Sequence, residues 1–439
     1  MAKKPIDVLL FIEHVARELD IACAVKYLAK QRHGLSVEIA SIIYDVERTR
    51  EKFDPLVIAT PYCFAITSLN IAGFIKVWPY ANYVNLAYEQ IFRHHQLSVK
   101  APADKFAREN VIHHSWAKFN SDFLTDNGVF PENIVANGNP TYSLYTEPYT
   151  AYFPTRNELA DRHELDENKN WIFIPENYGA AFGSDRSVRV LGANPVGQAE
   201  GVREFARRSF HEAVIWWAKL AKEEDVEVIV RPRPATPESN FKLAMRDHID
   251  SIPDTIHIFK EGTTREWILA SDSTFSSYST SLIESSIARR PSFMLAPQKF
   301  PEYLDADWHG MITHVETYDE FRNAACISDA GSKLNELAKW AQLEMMGNGD
   351  PISNLVDLLN RARNDEVKAS VAITQEQINA ANQPIAKPNV RKRAVSKIRR
   401  VLAGMYHSVG RQPASNHEDD TISQSDIENR VARWKSVLG

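Results

Sequence analysis

The sequence predicts an α/β protein: two Rossmann-like, doubly wound parallel sheets in tandem, followed by a helical, basic tail. Three observations carry that expectation. Short, nearly continuous apolar runs such as IDVLLFI (6–12) alternate with longer segments of helical period, the pattern of strands covered on both faces. The alternation stops in TEPYTAYFPTRNELADRHELDENKN, which is polar, contains two prolines and has no steady period, and it starts again at WIFIPEN. Past about Asp365 the large apolar residues thin out. The expected divisions are 1–150, 151–365 and 366–439.

Taken in order, IDVLLFI is the first strand, and EHVARELDIACAVKYLAKQ follows as a helix with Leu19, Ala22, Val25 and Leu28 at helical spacing. LSVEIASII and PLVIATPYC are strands flanking the helical VERTREKF. FAITSLNIAGFIKVW supplies a helix and ANYVNLAY a fourth strand. The region His113–Asn127 reads as a helix ended by Gly128, and ENIVANGNP as a strand running into a turn. In the second half WIFIPEN, VEVIVRPRP, IHIF and GMITHV are strands, and EFARRSFHEAVIWWAKLAKEE is a long helix. EVKASVAITQEQINAANQPIAKPN reads as linker or loose helix. In the basic Lys387–Arg411 segment, Val395, Ile398, Leu402 and Met405 form one helical stripe; such a helix lies on an anionic bilayer or docks on the first domain.

Composition narrows the classes. The chain has 439 residues, 44% hydrophobic and 25% charged, an ordinary globular mixture too long for one core. A net charge of −6 offers no general attraction to nucleic acid, and no nucleic-acid module is present. Cys23, Cys63 and Cys326 lie far apart, which fits a reducing cytoplasm and gives no metal-ligand spacing. The amino-terminal apolar run meets Asp7, Glu13 and Glu18 too soon for a signal peptide, and no stretch is long enough to span a membrane. G-x-G-x-x-G, the P-loop, H-E-x-x-H and G-x-S-x-G are all absent.

The most informative stretch is ASDSTFSSYSTSLIESSIARRPSFMLAP (270–297), read as strand, small-residue turn, helix, strand. Hydroxyls and unpaired backbone N–H groups at a helix start favour an anion, and phosphate is the candidate. Ser281 and Glu284 also have capping-box spacing, so a well-capped helix explains the pattern equally well. A carboxylate at Glu284 suits the two hydroxyls of a ribose. Other polar groups end the predicted strands: Glu13 and His14, Glu89 and Gln90, Glu176 and Asn177, and Arg231 and Arg233 within VRPRP. Paired guanidinium groups match oxyanions bidentately, although Arg231 and Arg233 also suit surface pairing with Glu238 or Asp247. Glu13 is equally suited to capping the helix that follows. His113 and His114, adjacent in the expected helix, point different ways, so one at most reaches a site.

FIEHVARELD near the start, YVNLAYEQIF at 83–92, the GNP turn at 138–140, VRPRP at 230–234 and WILASDSTFSSYSTSLIESSIARRP at 267–291 occur in an order that resembles a known family. The chain is similar to GT-B glycosyltransferases, in particular the bacterial capsule and lipopolysaccharide proteins related to Kdo transferases and CDP-glycerol glycerophosphotransferases. The resemblance spans roughly the first 315 residues. It implies a nucleotide-sugar donor, CMP-Kdo-like, held by the second domain and a glycan or glycolipid acceptor held by the first, with no cofactor or metal. Ser279, Thr280 and Ser281 would bind donor phosphate, Glu284 the ribose, and Arg231 and Arg233 the phosphate or sugar. Relatives carry R-P-H-P where this chain has R-P-R-P, so Arg233 replaces their histidine. His14, Gln90, Asn139 and Asn177 are expected in the cleft.

An inverting transfer needs a base for the acceptor hydroxyl, with Glu13 first and Glu89 second; a retaining route through a covalent adduct would use Glu176. Transfer of a polyol phosphate from a CDP-polyol, a 2-epimerase acting without an acceptor, and a non-catalytic glycan- or partner-binding subunit remain alternatives on the same scaffold. The expected location is the cytoplasm, at the inner face of the membrane if the basic segment binds lipid.

Overall fold

The computed structural model describes residues 2–68, 70–88, 97–182, 199–233, 236–327, 331–382 and 421–439. Two six-stranded sheets, every recorded pair parallel, form the frame. The first contains β1 (Lys4–Ile12), β2 (Val37–Ser41), β3 (Phe53–Thr60), β4 (Asn82–Asn85), β5 (Ile112–Ser115) and β6 (Ile134–Ala136) in the order β2-β1-β3-β4-β5-β6. The second contains β7 (Asn170–Pro175), β8 (Val226–Arg231), β9 (Ile256–Ile258), β10 (Ser273–Ser276), β11 (Ser292–Leu295) and β12 (Thr313–Val315) in the order β12-β11-β10-β7-β8-β9. Counted from β7, that is the Rossmann order 3-2-1-4-5-6, with its switch point between β7 and β10. The expected two-domain doubly wound class is what the chain adopts.

Burial explains why the central strands read as apolar runs. Val8, Leu9, Leu10, Phe11 and Ile12 are each fully buried, because β1 lies between β2 and β3 and carries helices on both faces. The helix Asp20–His33 covers one face, and the chain turns out of it at Gly34, whose φ of 68° accepts the left-handed cap. In the second domain Trp171, Phe173, Trp267 and Leu282 pack one side of the sheet, while Phe210, Trp217, Val228 and Phe275 pack the other.

Several local expectations change. His113 and His114 belong to β5, not to a helix, which begins only at Lys118. Their rings are buried, and burial pushes both imidazoles down to about 4, so they are neutral polar members of a core. His113 bridges Ala107 O at 2.6 Å and Asn85 Nδ2 at 3.1 Å. The helix expected across 64–78 is confined to Ile71–Val77. Residues 351–363, expected with the second domain, form a helix whose Ile352, Leu355, Val356 and Leu359 lie in the first domain's core. The stretch after Asp365 is also less loose than expected: Gln375–Asn382 is helical, and Ile378 packs on the first domain.

A helix at Gln424–Leu438, not foreseen, packs on the first domain as well. Its Trp434 stacks on Tyr152 with centroids 3.9 Å apart and donates its indole N–H to Asp20 O at 2.9 Å. The Asp20 carboxylate, 2% exposed, accepts from Tyr152 OH at 3.0 Å and from Arg430. One buried carboxylate thereby joins the first helix, the segment after the hinge and the returning helix.

The hinge, where the chain leaves the first sheet after β6 and where it returns near 345–354, is fastened by the GNP turn. Asn139 donates its N–H to Met345 O at 2.7 Å, and Asn137 and Asn354 exchange amide hydrogen bonds at 3.2 and 3.0 Å. Gly138 has a φ of 83°, and a Cβ there would fall 2.0 Å from Met346 O and 2.7 Å from Pro351 Cγ. Gly138→Ala is therefore expected to cost about 2 kcal/mol or more, seen as a lower denaturation midpoint. Gly310→Ala, where an added Cβ meets nothing within 4 Å, serves as the control and is expected to change little.

Candidate functional site

The segments that follow the carboxyl ends of the strands supply the candidate site, as doubly wound sheets require. On the first domain, β1 runs into a π-helical turn, Val15–Leu19. This turn, where an ordinary helix was expected, brings Glu18 inward to accept from Glu13 N at 2.7 Å and His14 N at 3.4 Å. Glu18 is 2% exposed, and burial pushes its carboxyl up to about 7 against the pull of Arg17. Glu13 remains half-buried, with Tyr62 OH 3.3 Å from one oxygen and His14 Nε2 3.9 Å from the other. Tyr88, just beyond β4, is buried. Ala87 before it sits at a φ of +49°, and the Trp116 indole donates to Ala87 O at 2.8 Å.

On the second domain Arg231 does not extend as a free phosphate ligand. Its Nη2 donates to Gly262 O at 2.6 Å and Lys260 O at 3.2 Å, and burial lowers its pKa from the ordinary arginine value. Those carbonyls belong to the loop that starts the helix Thr264–Ala270, capped by Thr263 and Glu266. Arg231 thus steadies a helix whose Arg265 crosses to the first domain, donating to Arg17 O at 2.5 Å and Ala16 O at 3.4 Å. The Arg265 guanidinium also lies 3.8 Å from Asp20.

Arg233 is exposed, and its side chain lies over Gly179. Glu176 is turned inward, accepting from Arg233 N at 3.2 Å and from Tyr178 N, and burial raises its carboxyl above the ordinary range. Asn177 beside it is half-buried.

The turn at 276–281 keeps half-exposed Ser279 and Thr280 at the end of β10. Ser281 donates both its N–H and its hydroxyl to Ser279 Oγ, at 3.3 and 2.8 Å. The capping box does not form: Thr280 is the N-cap without a side-chain bond, and Glu284 instead accepts from the Tyr145 hydroxyl near the hinge. Burial raises the Glu284 carboxyl, while Tyr145, Arg265 and Arg17 pull it down. Asn139, expected in the cleft, is fully buried in the hinge as the N-cap of Pro140–Ser143, so packing rather than solvent surrounds it. Glu89, Gln90 and Lys387–Arg411 lie outside the described residues. No described helix is long and apolar enough to cross a membrane.

The two walls therefore meet through Arg265 and Glu284, one on each of two neighbouring second-domain helices. Glu18, Tyr88, Tyr145 and Arg265 were missed in the sequence. Only Arg265 carries a hint, as the arginine inside the Thr-x-x-Glu capping box TTRE (263–266).

No family model matches the chain, and no curated protein matches it in sequence. Solved structures do match in shape. The wall teichoic acid polymerase TagF aligns with a TM-score of 0.51 at 11% identity, covering 83% of this chain and 90% of its own. MnaA of S. aureus with UDP gives 0.52 at 12% identity, covering 82% and 97%. The UDP-GlcNAc 2-epimerase of Methanocaldococcus jannaschii, in complex with UDP-GlcNAc and UDP, gives 0.52 at 11% identity, covering 81% and 99%. Together with the two facing sheets, these likenesses define the chain's fold as GT-B.

The Glu18 environment makes a pH prediction. A carboxyl that holds its proton to about 7 in the fold, against 4.5 ordinarily, stabilises the protein fully below pH 4.5 and loses that contribution as pH rises towards 7. Glu18→Gln, which never ionises, is expected to gain roughly 3 kcal/mol relative to the parent across that window. Unfolding free energies of both proteins, measured in denaturant at several pH values, check this; a difference that does not change with pH rejects burial as the cause.

Proposed function

We propose that this protein is a glycosyltransferase that moves a sugar from a nucleotide-sugar to a carbohydrate acceptor, of the surface polysaccharide or lipopolysaccharide kind. One observation carries the proposal: the segments after the strand ends of two Rossmann-type sheets contact each other, Arg265 donating to the Ala16 and Arg17 carbonyls and Glu284 accepting from the Tyr145 hydroxyl. The second domain takes the nucleotide, with half-exposed Ser279 and Thr280 and exposed Arg233 available to its phosphates. Ribose hydroxyls reach Glu284 by replacing the Tyr145 hydroxyl, so donor binding and the interdomain contact are coupled.

The departing nucleotide phosphate gains negative charge as the glycosidic bond breaks, and fixed cations at the gap stabilise it. Glu13 takes the proton of the acceptor hydroxyl; it is half-buried, held by Tyr62 and next to His14. Glu89 is the second candidate for that role. Glu176 is less suited to attack the sugar, because its carboxylate already serves two backbone N–H groups, and this favours the inverting route. The structural likeness to a teichoic acid polymerase supports a second reading, transfer of a polyol phosphate from a CDP-polyol by the same cleft.

A panel of CMP, CDP, UDP and GDP tests the nucleotide. One of them is expected to raise the melting temperature, by the equivalent of about 2.7 kcal/mol at a hundredfold excess over Kd. Product mass then separates sugar from polyol-phosphate transfer. Glu13→Gln is expected to lower turnover about 100- to 10,000-fold while nucleotide affinity is retained. Unchanged turnover removes Glu13 from the mechanism.

A further inference from the structure

Beside Glu13 the first domain carries an aromatic pair that its packing does not use. Tyr62 and Phe64, in the loop that follows β3, stack with ring centroids 5.0 Å apart and planes 11° from parallel. Both residues are half-buried, and among the described residues neither ring belongs to any of the apolar cores. A stacked pair outside the cores does not hold the domain together, so its contribution is made at the surface. The loop that presents it is fixed. Cys63 donates its N–H to Asn85 Oδ1 at 3.2 Å, Phe64 and Ala65 donate theirs to Ser68 Oγ at 3.1 and 2.8 Å, and Ile66 donates to Asp104 Oδ2 at 2.7 Å. A loop held this way loses little freedom when a ligand settles on it. Two charged groups flank the rings. The Tyr62 hydroxyl lies 3.3 Å from Glu13 Oε1, just past the end of β1, which is the strand paired with β3. Lys100 Nζ lies 5.0 Å from the Phe64 centroid and 5.5 Å from that of Tyr62.

The geometry points to Tyr62 and Phe64 as the platform for the acceptor's sugar ring, with Lys100 taking an acidic substituent on that ring. The inference rests on the function proposed above and names the acceptor class: a pyranose bearing a carboxylate or a phosphate. The C–H face of a pyranose is apolar and suits an aromatic face, while the hydroxyls around its rim stay in reach of polar groups. A ring lying on the pair therefore brings a hydroxyl towards Glu13, because the Tyr62 phenol at the platform's edge already reaches that carboxylate. An open-chain polyol has no flat face to stack. The Lys100 ammonium brings positive charge and N–H donors to the same rings, which selects an anionic sugar over a neutral one and offsets the negative charge of Glu13.

Glucose, glucuronic acid and glucose 6-phosphate share one ring and differ at C6. Their affinities, read by saturation-transfer NMR at millimolar concentration, separate ring from charge and carboxylate from phosphate. The better acidic sugar is expected to bind the parent protein about fivefold more tightly than glucose. Glycerol 3-phosphate, which has the charge without the ring, is expected to bind about tenfold more weakly than that sugar. Phe64→Leu is expected to weaken glucose and the acidic sugar alike by about tenfold, and Lys100→Gln to remove the acidic sugar's advantage while glucose is unaffected. Affinity for whichever of CMP, CDP, UDP and GDP raises the melting temperature stays the same in both variants. Sugar binding that Phe64→Leu leaves unaltered, equal binding of glycerol 3-phosphate, or an acidic preference that survives Lys100→Gln overturns the proposal, as does the absence of any sugar binding. Should Phe64→Leu lower the melting temperature, Lys100→Gln and glycerol 3-phosphate decide without it. Should no nucleotide bind, the transferase function fails, and an acidic-sugar preference lost in Lys100→Gln still keeps the platform.

Discussion

Asp20 is the constraint on which this architecture depends. A carboxylate at 2% exposure must be compensated, and the compensation comes from everywhere at once: Tyr152, Arg430 and, at 3.8 Å, Arg265 of the second domain. Removing one partner from such a buried set typically costs about 3–5 kcal/mol, because the remaining charge is left stranded. The same interaction therefore fixes where the hinge lies, where the returning helix docks and how close Arg265 comes to the π-turn after β1.

Carboxylates in this cleft divide by what already occupies them. Glu176 and Glu18 each hold two backbone N–H groups, and Glu266 caps a helix. These are groups whose charge, when present, is spent on shaping loops. Glu13 serves no backbone N–H among the described residues: the Tyr62 hydroxyl lies 3.3 Å from one oxygen and His14 Nε2 3.9 Å from the other. Arginines divide in the same way. Arg231 serves carbonyls and Arg265 serves carbonyls and Asp20, whereas Arg233 is exposed above Gly179. Arg233, where the R-P-R-P run departs from the R-P-H-P of the family the sequence resembles, is the exposed member of the pair.

The sheets were legible because strands covered on both faces leave unbroken apolar runs, as IDVLLFI and VEVIV do. β5 was not, since VIHHSW hides a buried strand behind two polar imidazoles where an apolar run is expected. The returning helix was legible in principle: Ile427, Val431, Trp434 and Leu438 recur at four, three and four residues. The site was legible only as far as strand ends. Glu13, Glu176 and Arg231 sit where the alternation of elements put them, yet their directions depend on a π-turn and on loop carbonyls that no local spacing encodes. Glu284 illustrates the limit. Its spacing from Ser281 satisfies a local rule, and a tyrosine from the far side of the hinge takes it instead.

The first domain's core is drawn from two distant stretches, residues 4–153 and the helices at 351–363 and 424–438, with the whole second sheet threaded between them. During synthesis on the ribosome the second Rossmann unit has all its strands in hand long before the first is sealed. Until Trp434 emerges, the Tyr152 ring and the Asp20 carboxylate stand open, exposing apolar surface of the kind that chaperones retain. The order of closure is thus the reverse of the order of translation.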